Sequence, residues 1–124
     1  KSIDEVQEHL FKVDGVMLGR AVYQTPWILS KVDSEIFSDV TRSVSRLAII
    51  EGMIDYIDRR MTEGVPLKSI TRHMMGLFHG EPGAKSWRRT LSEEARLPDV
   101  GSELLRKAYT NLGSNEYQNN QRVA

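Results

Sequence analysis

The chain has 124 residues, the usual length of one domain, and 40% of them are apolar, which is enough for a hydrophobic core. Its 17 Lys and Arg balance 17 Asp and Glu, so only a local concentration of charge can attract an anionic partner. The absence of cysteine excludes disulfides and thiolate chemistry, and with neither a 20-residue apolar run nor a signal-peptide pattern we expect a cytoplasmic protein.

The first predicted elements are a helix, a short strand and a second helix. Residues 3–11 have an amphipathic helical pattern, with Ser2 as the N-cap. The apolar run 16–18 predicts a strand, and a helix is expected from about Ala21. The dipeptide Gly19-Arg20 joins these two elements. A glycine and an arginine delivered to the start of a helix are suited to holding a phosphate.

Helices are predicted for most of the remaining chain. Gly64 and Pro66 mark the corner between two of them, and Gly113 is the expected C-cap of the last. The polar tail 114–124 is expected to be disordered. The predicted helical windows are 34–63, 66–78, 84–96 and 102–112.

Apolar residues at steps of three and four predict the faces that these helices bury. In the first window they are Leu47, Ile50, Ile54, Ile57 and Met61. In the second they are Leu67, Ile70, Met74, Leu77 and Phe78. Trp27 and Trp87 are interpreted as core anchors whose indole N–H groups need hydrogen-bond acceptors.

Basic residues concentrate in the segment 68–96, which carries six Lys and Arg against three Asp and Glu. At 100° per residue, Lys85, Arg89 and Arg96 fall within about 60° of one another, together with Ser92, opposite the apolar face. We call these four residues the basic ridge. An ordinary solvated helix face is one interpretation; a surface for nucleic-acid phosphates is the other. The candidate phosphate contacts are Lys68, Arg72, Lys85, Arg88, Arg89 and Arg96.

Other catalytic or metal-binding patterns are weak. His9, His73 and His79 are too scattered to predict a metal site, and we expect them on the surface or in turns. Neither paired carboxylates nor a Ser-His arrangement nor a P-loop stands out.

Two longer motifs resemble a known family. They are VDGVMLGRAVYQTPWIL at 13–29 and ITRHMMGLFHGEPGAKSWRRTLSE at 70–93. Together they resemble the tRNA-dihydrouridine synthases, most closely the A-type subfamily, which reduces uridines 20 and 20a of the tRNA D loop. The resemblance covers roughly residues 1 to 112.

The resemblance implies an FMN- and NADPH-dependent parent enzyme with a (β/α)₈ barrel followed by a helical tRNA-binding domain. It implies that residues 1–30 are the end of the barrel (a helix, strand 8 and helix 8) and that 31–113 are the helical domain. Gly19 and Arg20 would then bind the FMN phosphate, where barrels commonly hold one. The family's catalytic acid is a cysteine, so we assign no catalytic residue here and expect the fragment to be inactive alone.

The expected fold is therefore mainly α, with tRNA as the partner and neither a membrane nor a metal. The barrel remnant is expected to expose apolar surface and to favour self-association. The alternative from another class is a helical protein-interaction module with no catalytic parent. Such a module would use partly exposed, adaptable side chains. The candidates are Met53, Met61, Met74, Met75 and Phe78.

Overall fold

The computed structural model describes residues 2–41 and 44–122. Over these ranges the chain is mainly helical and contains no β-strand, which confirms the predicted α class. The α-helices are α1 Ile3–Leu10, α2 Arg20–Gln24, α3 Val32–Glu35, α4 Arg46–Thr62, α5 Leu67–Thr71, α6 Ala84–Glu93 and α7 Glu103–Arg122. A 3₁₀ turn over Pro26–Lys31 directly precedes α3, and a second over Glu94–Arg96 directly follows α6.

Helix α1 forms where the sequence predicts it. The Ser2 hydroxyl accepts a hydrogen bond from the Glu5 amide at 3.3 Å, which satisfies one N–H of the first turn. Ile3 and Val6 are buried on the inner face. The predicted N-cap is therefore confirmed.

The strand expected at 16–18 is wrong for this chain. These residues have no regular secondary structure, and the Met17 side chain is 87% exposed. A β-strand needs a neighbour to accept and donate its backbone hydrogen bonds, and the described part of the chain offers no such neighbour. Large apolar side chains are exposed throughout the N-terminal segment, residues 2–41: Phe11, Val13, Met17, Phe37 and Val40.

The helix expected from residue 21 begins at Arg20 but lasts only five residues. Pro26 interrupts it, because proline has no N–H and disfavours a helical conformation in the residue before it. The helical window predicted from residue 34 is also interrupted, since α3 ends at Glu35 and α4 begins only at Arg46. Within this interruption Ser38 adopts a left-handed conformation, at φ 56°.

The long helix α4 begins at a serine cap, where the Ser45 hydroxyl accepts from the Ala48 amide at 3.1 Å. Three of its predicted inward residues, Ile50, Ile54 and Ile57, are buried. Leu47 is 45% exposed, contrary to prediction. The three isoleucines lie at the centre of the buried face of α4, and Leu47 lies at its edge.

The core lies between α4, α5, α6 and α7. Helix α5 ends at Thr71 and gives way to turns instead of continuing to 78, but the predicted inward residues of this window are all buried. Trp87 of α6 is fully buried; its ring centroid lies 4.7 Å from that of Phe78, and its Nε1 donates to the Met74 carbonyl at 2.9 Å. The role predicted for Trp87 is confirmed.

Helix α7 extends ten residues past its predicted end. Gly113 is absent from the residues with positive φ, so it does not form the left-handed cap that was expected. A glycine weakens a helix by about 1 kcal/mol without ending it. The backbone of the tail is therefore helical as far as Arg122, where disorder was expected.

Charged pairs connect α7 to the helices before it. The Arg106 guanidinium donates to both oxygens of Glu51 on α4, at 3.2 and 2.7 Å. These hydrogen bonds hold the pKa of Glu51 below its usual value and raise the pKa of Arg106. Lys107 pairs with Glu94 at 2.5 Å.

Arg46 joins the N-terminal segment to the core. Its guanidinium carbon lies 4.1 Å from the ring centroid of Trp27 and 5.4 Å from that of Phe78. Its Nε donates to the Leu77 carbonyl at 3.0 Å, and its Nη2 donates to Glu81 at 3.3 Å. One mostly buried side chain thus contacts both parts of the fold.

We expect Arg46→Ala to lower the free energy of unfolding by about 1–3 kcal/mol, because a cation–π contact and charged hydrogen bonds are lost together. Arg46→Lys keeps the charge but loses the planar geometry, so it should recover only part of the loss. Urea denaturation followed by Trp fluorescence measures both. Arg59→Ala, at an exposed position of the same helix, is the matched control. Equal midpoints for Arg46→Ala and Arg59→Ala would contradict the assigned role.

Candidate nucleic-acid interface

The basic ridge lies on the outer face of α6 and the 3₁₀ turn that follows it. Gly83 precedes the helix at φ 82°, a conformation that glycine adopts without steric cost. Trp87 and Leu91 are buried on the inner face, whereas Lys85, Arg89, Ser92 and Arg96 are exposed. The periodicity of the sequence thus predicts which side of this helix meets solvent.

One ridge residue has a carboxylate partner. Arg89 Nε lies 3.2 Å from Glu93 Oε2, one turn along the helix, and both side chains are largely exposed. An exposed pair of this kind is worth little, so the guanidinium can exchange Glu93 for a phosphate at small cost. Lys85 and Arg96 form no ion pair with any residue in the described ranges.

The other three candidate cations lie at α5 or line a groove. Lys68 and Arg72 are exposed at α5, which packs against α6. Arg72 and Arg88 both line an open groove of about 570 Å³ between the end of α2 and the turns after α5. We call it the cationic groove, and its lining includes Tyr23, Gln24, Thr25, His73, Met75, Gly76 and His79.

The cationic groove contains a contact that sequence reasoning missed. The Tyr23 hydroxyl lies 3.0 Å from His73 Nδ1, and the two rings meet edge to face, with centroids 5.9 Å apart. Fifty residues separate the partners, so no local pattern indicates their approach. His73 and His79 are exposed, as expected for surface or turn histidines.

Gly19 and Arg20 lie at the start of α2, both exposed. Gly19 is the N-cap and has no side chain to bond the first-turn N–H groups, and a Cβ added there would meet only Met17 Sδ, at 3.7 Å. Arg20 forms no ion pair with a described residue. An open glycine, a free guanidinium and an uncapped helix start fit one side of a phosphate site.

Among the side chains that the structure describes, those of residues 2–41 and 44–113, no three His, Asp or Glu gather in a way that could hold a metal ion. The helices described over residues 2–41 and 44–122 include none with the length and apolar character required to cross a bilayer.

A family model described as dihydrouridine synthase matches residues 1–112. The chain belongs to the dihydrouridine synthase family. The family predicted from the two motifs is thereby confirmed. The match runs through the start of α2 and the whole of α6, and so includes both the Gly19-Arg20 dipeptide and the basic ridge.

The chain is similar to other members of the family that are named tRNA-dihydrouridine(20/20a) synthase. The Vibrio vulnificus protein is 44% identical over 112 residues, which are 90% of this chain and 34% of the relative. The Salmonella typhi protein is 47% identical over 108 residues, which are 87% of this chain and 32% of the relative. The Yersinia pestis protein is 41% identical over 118 residues, which are 95% of this chain and 34% of the relative. These names support the predicted A-type subfamily, and the chain spans about a third of the length of these relatives.

Proposed function

We propose that this chain is the C-terminal part of an FMN- and NADPH-dependent tRNA-dihydrouridine synthase acting on uridines 20 and 20a of the D loop, and that it docks tRNA. The observation that carries the docking role is the exposed basic ridge on α6, within a chain whose relatives are named as tRNA-modifying enzymes. In this proposal residues 31–113 form the tRNA-binding domain, and the protein works in the cytoplasm.

Charge and rigidity support tRNA docking by this surface. The ridge residues project from a helix whose opposite face is anchored by the buried Trp87 and Leu91, so the backbone positions that carry the cations are fixed before RNA arrives. Arrays of Lys and Arg on a rigid element suit a phosphate backbone, because binding releases the counterions condensed on it. Lys68, Arg72 and Arg88 add exposed positive charge at α5 and at the cationic groove.

We assign Gly19 and Arg20 to the FMN phosphate. Their open backbone, uncapped helix start and free guanidinium fit one side of such a site. When bound, FMN reduced by NADPH supplies the hydride that converts uridine to dihydrouridine. This chain contains no cysteine for proton transfer to the base, so we assign it no catalytic residue and expect it to be inactive alone.

The exposed apolar side chains of the N-terminal segment support its assignment, over residues 1–30, to the end of a barrel. Phe11 and Met17 are almost fully exposed, which a protein rarely maintains without a partner. In the proposed enzyme the remainder of the barrel covers them. In the isolated chain they favour self-association.

The decisive test of docking is the triple variant Lys85→Ala, Arg89→Ala, Arg96→Ala. We expect weaker binding to an unmodified tRNA transcript in fluorescence anisotropy. The slope of log Kobs against log salt should become shallower by about 3, roughly one for each lost phosphate contact.

The matched control removes three positive charges elsewhere, with Lys12→Ala, Lys31→Ala and Arg59→Ala. These side chains are exposed and lie outside the ridge and the groove. Circular dichroism checks that both variants are folded. If the two triple variants have the same affinity and the same salt slope, the ridge does not dock tRNA.

The protein-interaction alternative finds less support. Two of its candidate surface residues, Met74 and Phe78, are buried in the core, contrary to the expected partial exposure. Met53, Met61 and Met75 are half-buried and pack against that core. Membership of an enzyme family also argues against a module with no catalytic parent.

A further inference from the structure

The cationic groove contains two arginines and no carboxylate. Arg72 and Arg88 both line it, and neither forms an ion pair with a described residue. Four other arginines, Arg46, Arg60, Arg89 and Arg106, each have an acidic partner. Arg20 and Arg96 also lack one, but among the described residues only Arg72 and Arg88 lie in the same groove. Two guanidinium groups that share a groove repel one another until an anion lies between them. Phosphate suits them because guanidinium donors match its oxygens in pairs.

An aromatic ring stands at the same groove. Tyr23 is 61% exposed, yet its hydroxyl is held by His73 at 3.0 Å. A ring that is already fixed loses little freedom when a ligand stacks on it. Unpaired bases of RNA commonly stack on exposed Tyr and His rings. The groove therefore offers a stacking surface beside its two cations.

The size and the polar lining of the groove fit more than a phosphate alone. Its volume of about 570 Å³ lies within the range of small-molecule sites. Gln24 and Thr25 line it next to Tyr23 and supply hydrogen-bonding side chains for the edge of a base.

We propose that the cationic groove binds one unpaired nucleotide of the tRNA, with its phosphate between Arg72 and Arg88 and its base against Tyr23. This inference rests on the proposed function for the identity of the RNA. It adds a site that is separate from the basic ridge, formed where α2 meets the turns after α5.

Two measurements test the groove. Titration with uridine 5′-monophosphate should shift the ring proton NMR signals of His73 and His79, and Arg88→Gln should abolish the shift. With the tRNA transcript, Tyr23→Leu should weaken binding about tenfold, the size of one lost base-stacking contact. Tyr23→Phe keeps the ring and should stay within about threefold of the unmodified chain.

The controls are Tyr56→Leu and Arg59→Gln, an exposed tyrosine and an exposed arginine of α4 outside the cationic groove. Neither should change either measurement. The triple ridge variant should weaken tRNA binding and leave the mononucleotide shifts intact, so the two sites are separable. If Tyr23→Leu and Arg88→Gln bind tRNA like their controls while the ridge variant binds weakly, the groove proposal is overturned and ridge docking stands. If instead the two groove variants lose tRNA binding while the triple ridge variant binds normally, ridge docking is overturned.

Discussion

Replacing Trp87 by alanine is expected to lower the free energy of unfolding by about 3–5 kcal/mol. The side chain, on α6, is fully buried in the core, and its ring centroid lies 4.7 Å from that of Phe78. Alanine leaves a cavity that this close-packed core cannot fill. The change also removes the donor that satisfies the Met74 carbonyl. Because domains are stable by only about 5–15 kcal/mol, this change removes a large share of the total free energy of unfolding.

Trp87→Phe separates the two contributions. Phenylalanine retains most of the ring contact but cannot donate to Met74, so a smaller loss of about 1–2 kcal/mol is expected. Urea denaturation monitored by far-UV circular dichroism gives both values. Tyr56→Phe, at a half-exposed tyrosine, serves as a control for the loss of a polar atom. A Trp87→Ala chain within 1 kcal/mol of the original would show that the core does not depend on this residue.

Gly76→Ala is expected to destabilise the chain by about 2–3 kcal/mol, near the upper end of overpacking changes. A Cβ at this position would lie 2.1 Å from the Gln24 carbonyl oxygen and 3.2 Å from Pro26 Cδ. The first obstacle is backbone, which no side-chain rotation relieves. The segment 24–26 must therefore move away from the turns after α5, and Tyr23 moves with it.

The comparison for Gly76→Ala is Gly52→Ala, on the exposed face of α4. A Cβ there meets nothing within 4 Å, so alanine should stabilise the helix by about 0.5–1 kcal/mol. Denaturation midpoints test the opposite signs, and the NMR signal of the His73 ring reports the movement of Tyr23. A Gly76→Ala chain with an unshifted midpoint and an unchanged His73 signal would contradict the close approach.

The features that the sequence predicts well are local. Helix α6 follows from an apolar stripe opposite a basic edge, and it begins at Ala84 as expected; it ends at Glu93, and the 3₁₀ turn Glu94–Arg96 takes the last three predicted positions. The same applies to Ser2 at α1 and to the apolar residues after Pro66. Periodicity and capping chemistry act over four residues, so they can be read without knowing the fold.

The features that the sequence does not predict depend on distant partners. The Tyr23–His73 contact and the packing of Gly76 against Gln24 each join segments about fifty residues apart. The segment 16–18 has a strand-like composition, but strand formation requires a neighbouring strand. The end of α7 was predicted wrongly for another reason: a glycine such as Gly113 is compatible both with a helix cap and with a continuing helix.

The shortness of α2 has a geometric consequence. Arg20 and Tyr23 lie three residues apart on one helix, a separation of about 4.5 Å along its axis. The close approach of Gln24 to Gly76 fixes the other end of this helix against the core. If the proposed phosphate and nucleotide sites are both correct, α2 sets the distance between the two ligands, and a shift at either end of the helix displaces the other.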